Sequence, residues 1–371
     1  MDSTAKRSIV VYSPHSGRSD QLAQAEAQLQ QMGIAIMKSI PIADLDHLPP
    51  QGTRWKQEDI DVAIAAGGDG LVGGVINHIA ESGLPLGILP LGTSNDIARS
   101  LQIPQSIQQA AEVIADGKVQ AIDIGTARPA EQVPHPASSD QRSPVVTHIE
   151  AQKHGYFAHA LTVGLNVQFA RIATNVATRQ RFGRLTYPFA ALELLRNHDP
   201  LEVELRFEGL AMPQSRTATR EVREEHTATL ATTTEQPPIL RCRALQVTVI
   251  NAPIFGGQWE LAIPDASLND RLLDIVVIEE IELGRLSTRL AHLFEQKANG
   301  DEPASVDEGY EATRHPGELT GIPGIHHLQA RGVMIMTNVD PRDATLDGEV
   351  RGQTPMFVHI ADERLRVLVP R

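Results

Sequence analysis

The first third of the chain alternates between two hydrophobic periods. Some segments follow a short β-branched pattern, and the segments between them carry apolar residues at helical spacing. We predict strands at residues 8–12, 34–36, 61–66 and 86–90, and helices at residues 19–32, 71–81 and 107–116. Gly33 and Gly117 are placed to end two of these helices. Strands that alternate with helices indicate a mostly parallel sheet with helices on both faces.

From about residue 125 the pattern changes to short β-like runs separated by turns. We predict strands at residues 158–163, 201–207, 244–250, 272–278, 332–338 and 357–360, and helices at residues 187–197 and 284–297. A strand-rich region of this kind is typical of a sandwich or a barrel. The change of pattern therefore predicts a second, β-rich domain that begins near residue 125.

Three polar stretches interrupt the second region. Residues 127–148 are rich in Pro, Ser and His, residues 209–238 in Thr, Glu and Arg, and residues 298–325 in Gly, Pro and acidic residues. Such compositions bury little apolar surface. We predict that all three are surface insertions.

Composition narrows the class of protein. The 371 residues suit two domains of about 150 residues each plus insertions. A formal net charge of −13 argues against a general nucleic-acid binder and against broad docking on anionic lipid, although it permits a local basic patch. Cys242 is the single cysteine, which excludes an intramolecular disulfide and favours a reducing, cytosolic compartment. No stretch approaches the ~20 apolar residues of a membrane span, and the opening residues do not resemble a secretory signal, so we expect any membrane contact to be peripheral.

A glycine-rich turn follows the third predicted strand and precedes a helix. It consists of Gly67, Gly68, Asp69 and Gly70, and glycines before a helix N-terminus let backbone N–H groups approach a phosphate. With Gly73 the spacing also satisfies GxGxxG, but the acidic residue that a dinucleotide site needs about 20 positions later is missing. By itself the cluster is equally typical of a tight strand–helix turn.

A second polar cluster follows the next predicted strand. The sequence LPLGTSNDIAR at residues 89–99 places Thr93, Ser94, Asn95 and Asp96 together at the carboxyl end of that strand. Ligands of open α/β sheets bind in this position. One of these residues can serve as a helix N-cap, but four in succession exceed what a cap requires.

Together the two clusters resemble the diacylglycerol kinase catalytic domain family, which includes bacterial lipid kinases and, more distantly, sphingosine and ceramide kinases. Further matches extend along the chain, at residues 13–17 (SPHSG), 181–187 (RFGRLTY), 251–257 (NAPIFGG), 263–270 (IPDASLND) and 347–349 (DGE). The resemblance implies an α/β N-terminal nucleotide-binding domain over residues 1–124, of the NAD-kinase and diacylglycerol-kinase type. It also implies a β-rich sandwich C-terminal domain over residues 125–363, a tail of about residues 364–371 that returns to the first domain, and an active site between the two.

The resemblance also implies roles for individual residues. Glu349 would be the general base, and Asp69 would be a second catalytic residue that organises the phosphates and the catalytic Mg²⁺ together with Asp96. A structural Mg²⁺ would bind Ser267, Asp270 and the backbone carbonyl of Leu272. The residues expected to hold ATP are Ser16, Gly17, Ser39, Gly67, Gly68, Asp69, Gly70, Gly73, Thr93, Asn95 and Asp96.

General chemistry agrees with these roles. Phosphoryl transfer needs positioning and charge neutralisation, a carboxylate can accept the proton of an acceptor hydroxyl, and Mg²⁺ takes oxygen ligands. Taken without the resemblance, residues 347–349 predict a hairpin turn, because Asp-Gly is a strong turn signal.

Several positions depart from the family pattern. Leu71 stands in place of a threonine after GGDG, Gly74 in place of a glutamate, Arg271 in place of a glycine, and Ser13 in place of an asparagine. Arg271 can also pair with the neighbouring Asp270. These departures bear on metal and substrate geometry rather than on the fold.

The expected activity is that of an ATP-dependent lipid kinase with a diacylglycerol-type or sphingoid acceptor. Two alternatives are an NAD kinase and a nucleotide-binding regulator that has lost phosphoryl transfer.

The expected partner is a lipid at the membrane surface, reached by peripheral contact on the inner face of the membrane. We expect no nucleic-acid partner, and a homodimer is left open. A basic cluster with nearby aromatics at residues 179–187 is the candidate for membrane contact. His326 and His327 suggest a metal pair, but adjacent residues on a strand point to opposite faces, so we expect these histidines to lie at the surface or in a loop.

Overall fold

A computed structural model describes most of the predicted elements. It covers residues 5–14, 19–45, 48–130, 155–164, 200–211, 229–233, 236–255, 261–263, 265–280, 325–338 and 340–371. The predicted helices at 187–197 and 284–297, the basic cluster at 179–187 and most of the three polar stretches lie outside the described residues. None of the helices in the described ranges is long and apolar enough to cross a membrane.

The first unit is a parallel sheet with helices packed against it. Its strands are β1 (Lys6–Tyr12), β2 (Ile34–Pro41), β3 (Val62–Gly67) and β4 (Leu86–Pro90), and its helices are α1 (Leu22–Gln31), α2 (Gly52–Gln57), α3 (Asp69–Ile79), α4 (Asp96–Ser100) and α5 (Ile107–Asp116). The strand order is β2-β1-β3-β4. All six residues of β3 are buried, as expected for a strand covered on both faces. The alternation of strands and helices is confirmed.

Two short helices were not predicted from the sequence. Helix α2 has 6 residues and α4 has 5, which is too short for a helical period to show in the pattern of apolar residues.

The second unit is built almost entirely of strands. They are β5 (Lys118–Pro129), β6 (Gly155–Phe157), β7 (Ala160–Gly164), β8 (Leu201–Leu210), β9 (Thr229–Thr233), β10 (Gln236–Ile250), β11 (Ile254–Phe255), β12 (Leu261–Ala262), β13 (Leu273–Glu279), β14 (Ile325–Thr337), β15 (Asp343–Leu346), β16 (Glu349–Gln353) and β17 (Met356–Val369). In β8 the sequence LEVELRFEGL alternates between buried and more exposed positions over its first eight residues, because one face covers the core and the other meets water.

Two long strands change partners along their length and thereby form the sandwich. The first half of β10 pairs with β8, whereas its second half pairs with β13 and β7. In the same way β14 pairs first with β13 and then with β8. Strands that pass from one layer to the other close a β-rich core, and the predicted sandwich is confirmed.

All three predicted insertions overlap strands of the second unit. Residues 127–129 belong to β5, residues 209–210 to β8 and residue 325 to β14, and β9 with the first residues of β10 lies inside the predicted stretch at 209–238. Those parts of the insertion prediction are wrong, because a strand of mainly polar residues can pair through its backbone without showing an apolar run.

Strands β5 and β17 link the two units. They pair with each other along most of their length, and Val367 of β17 also lies beside Leu86 of β4 in parallel register. Because β17 also pairs with β14, one sheet of 15 strands runs through the described residues of both units. The predicted domain boundary at residues 124 and 125 falls inside β5.

A buried carboxylate joins the second unit to helix α3. Asp347 lies in the turn between β15 and β16, where φ is +48° at Asp347 and +88° at Gly348. Its Oδ1 accepts the backbone N–H groups of His159 at 2.8 Å and Ala160 at 3.1 Å, and its Oδ2 accepts that of Ala158 at 3.0 Å. Burial raises the pKa of Asp347 to about 6.

Helix α3 presents glycines and an asparagine to this turn. A Cβ built at Gly73 would lie 2.6 Å from Oδ2 of Asp347, so only glycine fits there without movement. One turn further on, the amide of Asn77 donates to the carbonyls of Gly73 at 2.7 Å and Tyr156 at 2.9 Å, and accepts the Tyr156 N–H at 2.8 Å. The helix is therefore fixed against β6 and the Asp347 turn by close backbone approach.

The buried carboxylate leads to a testable prediction. Asp347→Asn removes the charge but turns an N–H₂ group toward a backbone N–H, so we expect it to lower the free energy of unfolding by about 1–3 kcal/mol. Because the pKa of Asp347 is higher in the folded protein than in the unfolded chain, its contribution to stability falls as the pH rises from about 4 to about 6. The difference between the wild type and the variant should therefore narrow over that range in denaturant titrations.

Asp340→Asn is the matched control, since Asp340 is exposed and its replacement should change the free energy of unfolding by less than about 0.5 kcal/mol. A difference between wild type and Asp347→Asn that widens with rising pH would contradict the assignment.

Candidate functional site

The glycine-rich turn lies where β3 passes into α3. Gly68 is the N-cap of the helix and Asp69 is its first residue. A Cβ built at Gly67 would lie 2.4 Å from Cδ2 of Leu71, and Leu71 is buried in the hydrophobic core. Leu71, which departs from the family pattern, therefore packs against Gly67 on the side of the turn that faces the hydrophobic core.

The glycine-rich turn at residues 67–70 and the polar cluster at residues 89–99 approach each other closely through their backbones. A Cβ built at Gly92 would lie 2.3 Å from Cα of Gly68, a contact that only glycine permits. A second link is the Oδ1 of Asp69, which accepts the backbone N–H of Ile97 at 2.9 Å and so caps the start of α4. The neighbouring strand ends thus form one continuous surface, as expected from the order of strands in a parallel sheet.

Asn95 shapes the second turn. It adopts a left-handed conformation with φ of +54°. Its Oδ1 accepts the N–H of Gly92 at 2.9 Å, and its Nδ2 donates to Oε1 of Gln105 at 3.0 Å and to the carbonyl of Gly92 at 3.1 Å. These contacts hold the turn itself, whereas the neighbouring Thr93 is exposed. Direct contact of either residue with a nucleotide stays a prediction.

Asp96 and His159 connect this turn to the second unit. Asp96 is buried at the start of α4, and its Oδ2 lies 3.8 Å from Nε2 of His159. The same nitrogen lies 3.1 Å from the carbonyl oxygen of Ile254, and the imidazole packs on Phe255 with ring centroids 4.1 Å apart. His159 is not predictable as a site residue from the sequence, because a lone histidine in a β-like run carries no motif.

The DGE turn brings Glu349 to the start of α3. A Cβ built at Gly70 would lie 3.1 Å from Oε1 of Glu349. Glu349 is the first residue of β16 and its side chain is about half exposed, at 51%. Arg351 donates to Oε2 of Glu349 from Nε at 2.9 Å and also from Nη2. The structure therefore places Glu349 beside the glycine-rich turn, at Gly70.

Other predicted nucleotide residues lie on β2 or outside the described residues. The hydroxyl of Ser39 in β2 donates to Oε1 of Glu26 at 2.5 Å and is exposed. Ser16 and Gly17 lie outside the described residues. Their roles toward ATP stay predictions.

The predicted structural metal loop has an Asx turn. Oδ1 of Asp270 accepts the backbone N–H of Leu272 at 3.0 Å, and Oγ of Ser267 accepts that of Asn269 at 3.2 Å. Burial, followed by the nearby Asp274 carboxylate, raises the pKa of Asp270. A bound cation would offset this concentration of negative charge. The oxygens of this loop are of the type that Mg²⁺ takes as ligands, and binding of the ion by Ser267, Asp270 and Leu272 stays a prediction.

Arg271 pairs with Asp123 and not with the neighbouring Asp270 that the sequence suggests. Its φ is +64°, its N–H donates to Oδ2 of Asp123 at 2.8 Å, and its guanidinium lies 3.5 Å from Oδ1 of the same residue. Arg364 also donates to Oδ1 of Asp123 at 2.9 Å. Among the described residues, Arg271 thus pairs with Asp123 and leaves Asp270 unneutralised.

The remaining histidine and cysteine features form no metal centre in the described ranges. Nε2 of His326 lies 3.0 Å from Oε1 of Glu279, and Nε2 of His327 lies 2.6 Å from Oδ1 of Asp274. No group of three or more His, Cys, Asp or Glu residues that could hold a metal ion occurs in the part of the chain that the structure describes. Burial raises the pKa of the Cys242 thiol to about 12, so it is protonated at neutral pH.

Comparison with known sequences identifies two families along the chain. Residues 7–127 match the family described as the diacylglycerol kinase catalytic domain, and residues 160–301 match the YegS C-terminal NAD kinase beta sandwich-like domain. A protein named diacylglycerol kinase from Bacillus subtilis (strain 168) is 26% identical over 286 residues, which cover 75% of each chain.

Solved structures show the same fold. One from Bacillus anthracis str. Sterne matches with a TM-score of 0.60 at 18% identity, covering 100% of this chain and 97% of that chain. A diacylglycerol kinase from the same organism matches with a TM-score of 0.53 at 16% identity, covering 98% and 97%.

A second curated relative decides the family. The diacylglycerol kinase of Staphylococcus aureus (strain MRSA252) is 36% identical over 370 residues, which cover 98% of this chain and 93% of that protein. The chain therefore belongs to the diacylglycerol kinase family and is a kinase of that family.

Proposed function

We propose that this protein is an ATP-dependent lipid kinase that transfers the γ-phosphoryl group of ATP to a lipid hydroxyl. The observation that carries the proposal is the meeting of Glu349 with the glycine-rich turn at Gly70. It puts a proton acceptor beside the N-terminus of an 11-residue helix, where phosphate groups bind favourably. The names of the curated relatives support a diacylglycerol-type acceptor.

The proposed phosphate site is formed by backbone at two strand ends. Gly67, Gly68 and Gly70 leave the backbone of the first turn open to close approach, and Gly92 holds the second turn against the first. Such a site needs few side chains, because phosphoryl transfer depends on orientation and on stabilisation of charge.

Two carboxylates next to this surface fit a divalent cation. Asp69 and Asp96 lie on the adjoining ends of α3 and α4, and carboxylate oxygens are the protein ligands that Mg²⁺ prefers. When bound, Mg²⁺ would neutralise charge on the phosphates of ATP. The ring of His159 lies against Asp96 and limits the directions in which this carboxylate can turn.

Glu349 would act on the acceptor. A carboxylate oxygen takes the proton of the lipid hydroxyl as the hydroxyl oxygen attacks the γ-phosphorus, and ADP leaves. Because the side chain is about half exposed, an acceptor can reach it from solvent or from a membrane surface. A lipid acceptor also implies peripheral contact with the membrane, for which the basic cluster at 179–187 is our candidate.

Transfer to lipid can be tested directly. Incubation with γ-labelled ATP and a panel of diacylglycerol, sphingoid base, ceramide and phosphatidylglycerol should label one lipid. Glu349→Gln should lower kcat by about 10²–10⁴-fold, whereas Glu208→Gln, at an exposed position of β8, should not change it. Labelling of added NAD instead of lipid would favour an NAD kinase. ATP binding without labelling of any acceptor would favour a regulator.

The contact between the two turns leads to a prediction for ATP binding. Gly92→Ala places a methyl group against Cα of Gly68, and overpacking of about 1–3 kcal/mol should weaken ATP binding by about tenfold or more in calorimetry. Gly33→Ala is the control, because its Cβ meets nothing within 4 Å although its φ is +79°. That variant should lose stability and keep its affinity for ATP. Equal affinity in the wild type and Gly92→Ala would rule out the proposed phosphate site.

The structural Mg²⁺ site has its own test. At a tenfold excess over Kd, Mg²⁺ should stabilise the wild type by about 1.4 kcal/mol, seen as a rise in Tm. Asp270→Asn should lose most of this rise because it removes the charged ligand, while Asp265→Asn, at an exposed position of the same loop, should keep it. An unchanged rise in Asp270→Asn would place any bound Mg²⁺ elsewhere.

A further inference from the structure

Arg351 holds the carboxylate of Glu349 from one side. Its Nε and Nη2 both donate to Oε2 of Glu349, which leaves Oε1 at the side of Gly70. The two residues lie two positions apart on β16, so their side chains project from the same face of the strand. Two N–H groups that converge on one carboxylate oxygen restrict the direction of that oxygen, and the guanidinium offsets the carboxylate charge.

The space for Arg351 is provided by α3. A Cβ built at Gly74 would lie 3.7 Å from Nη2 of Arg351 and 3.0 Å from Cδ1 of Ile42. A long side chain at position 74 would therefore compete with the guanidinium for the same place. Gly74 is one of the departures from the family pattern. The absence of a side chain at this position leaves room for the guanidinium of Arg351.

We infer that Arg351 is a positioning residue for Glu349: it turns one carboxylate oxygen toward the glycine-rich turn and offsets the carboxylate charge where a phosphate must enter. This inference rests on the proposed function. An unpaired carboxylate at the start of α3 would repel an incoming phosphate, and a half-exposed side chain would be free to rotate away. The guanidinium limits both effects, since it is always charged and forms two directed hydrogen bonds.

The kinetic test separates positioning from general stability. Arg351→Met should lower kcat by about 10- to 100-fold, because loss of orientation alone can cost about 10² in rate. KM for ATP should rise as well, because the Glu349 carboxylate then faces the incoming phosphate without its cationic partner, while Tm stays close to wild type. Arg351→Lys should recover only part of the rate, since an ammonium cannot form the same paired contact. Arg206→Met is the matched control, because Arg206 donates to Glu204 at 2.7 Å across the same two-residue spacing on β8, and its kcat should be that of wild type. Equal kcat in Arg351→Met and the wild type would overturn the inference.

A second measurement does not depend on turnover. In ¹⁵N-labelled protein the Nε–H signal of Arg351, assigned by its loss in Arg351→Lys, should lie in the position typical of a carboxylate-bound arginine and shift in Glu349→Gln. An Nε–H signal unaffected by Glu349→Gln would show that the pair does not form in solution and would also overturn the inference. If the signal shifts and no acceptor is labelled, the proposed lipid kinase activity fails while the pairing stands.

Discussion

The architecture of the site depends on one buried carboxylate. Asp347 accepts three consecutive backbone N–H groups from residues 158–160 and rests on Gly73 of α3. This single group fixes the β-rich unit to the helix that follows the glycine-rich turn, and Glu349 lies only two residues farther along the chain. Loss of the three hydrogen bonds would leave several buried donors unpaired, so the arrangement has few alternatives of similar energy.

The geometry of the site is determined more by close backbone contacts at glycines than by contacts between side chains. Gly68 and Gly92 touch through their α-carbons, and Gly73 admits the Asp347 carboxylate. Each contact requires the absence of a Cβ atom, which explains why glycine recurs at these positions independently of any contact with a ligand. The few side chains that remain, such as Asp69 and Asn95, connect one turn to the next.

Much of the fold follows from local sequence pattern, and the rest depends on tertiary contacts. The strand and helix periods of the first unit and the turn at residues 347–349 are local signals, so they are predicted well. The partner exchange of β10 and β14 has no local signal, because pairing is decided by which strand lies alongside. His159 and the Arg351–Glu349 pair were missed for the same reason, since each acquires its contacts only when separate strands and helices come together.

Strand β17 completes the sheet of the first unit although it is translated much later than the other strands of that sheet. Its residues are translated long after those of β4, yet Val367 supplies the neighbour that β4 has on the side away from β3. Until β17 is made, β4 presents unpaired backbone groups at an edge of a hydrophobic sheet, which is a site for wrong pairing between chains. The sheet of the first unit therefore cannot be completed until β17 has been translated, and we expect nascent chains to be prone to wrong strand pairing until β17 has emerged from the ribosome.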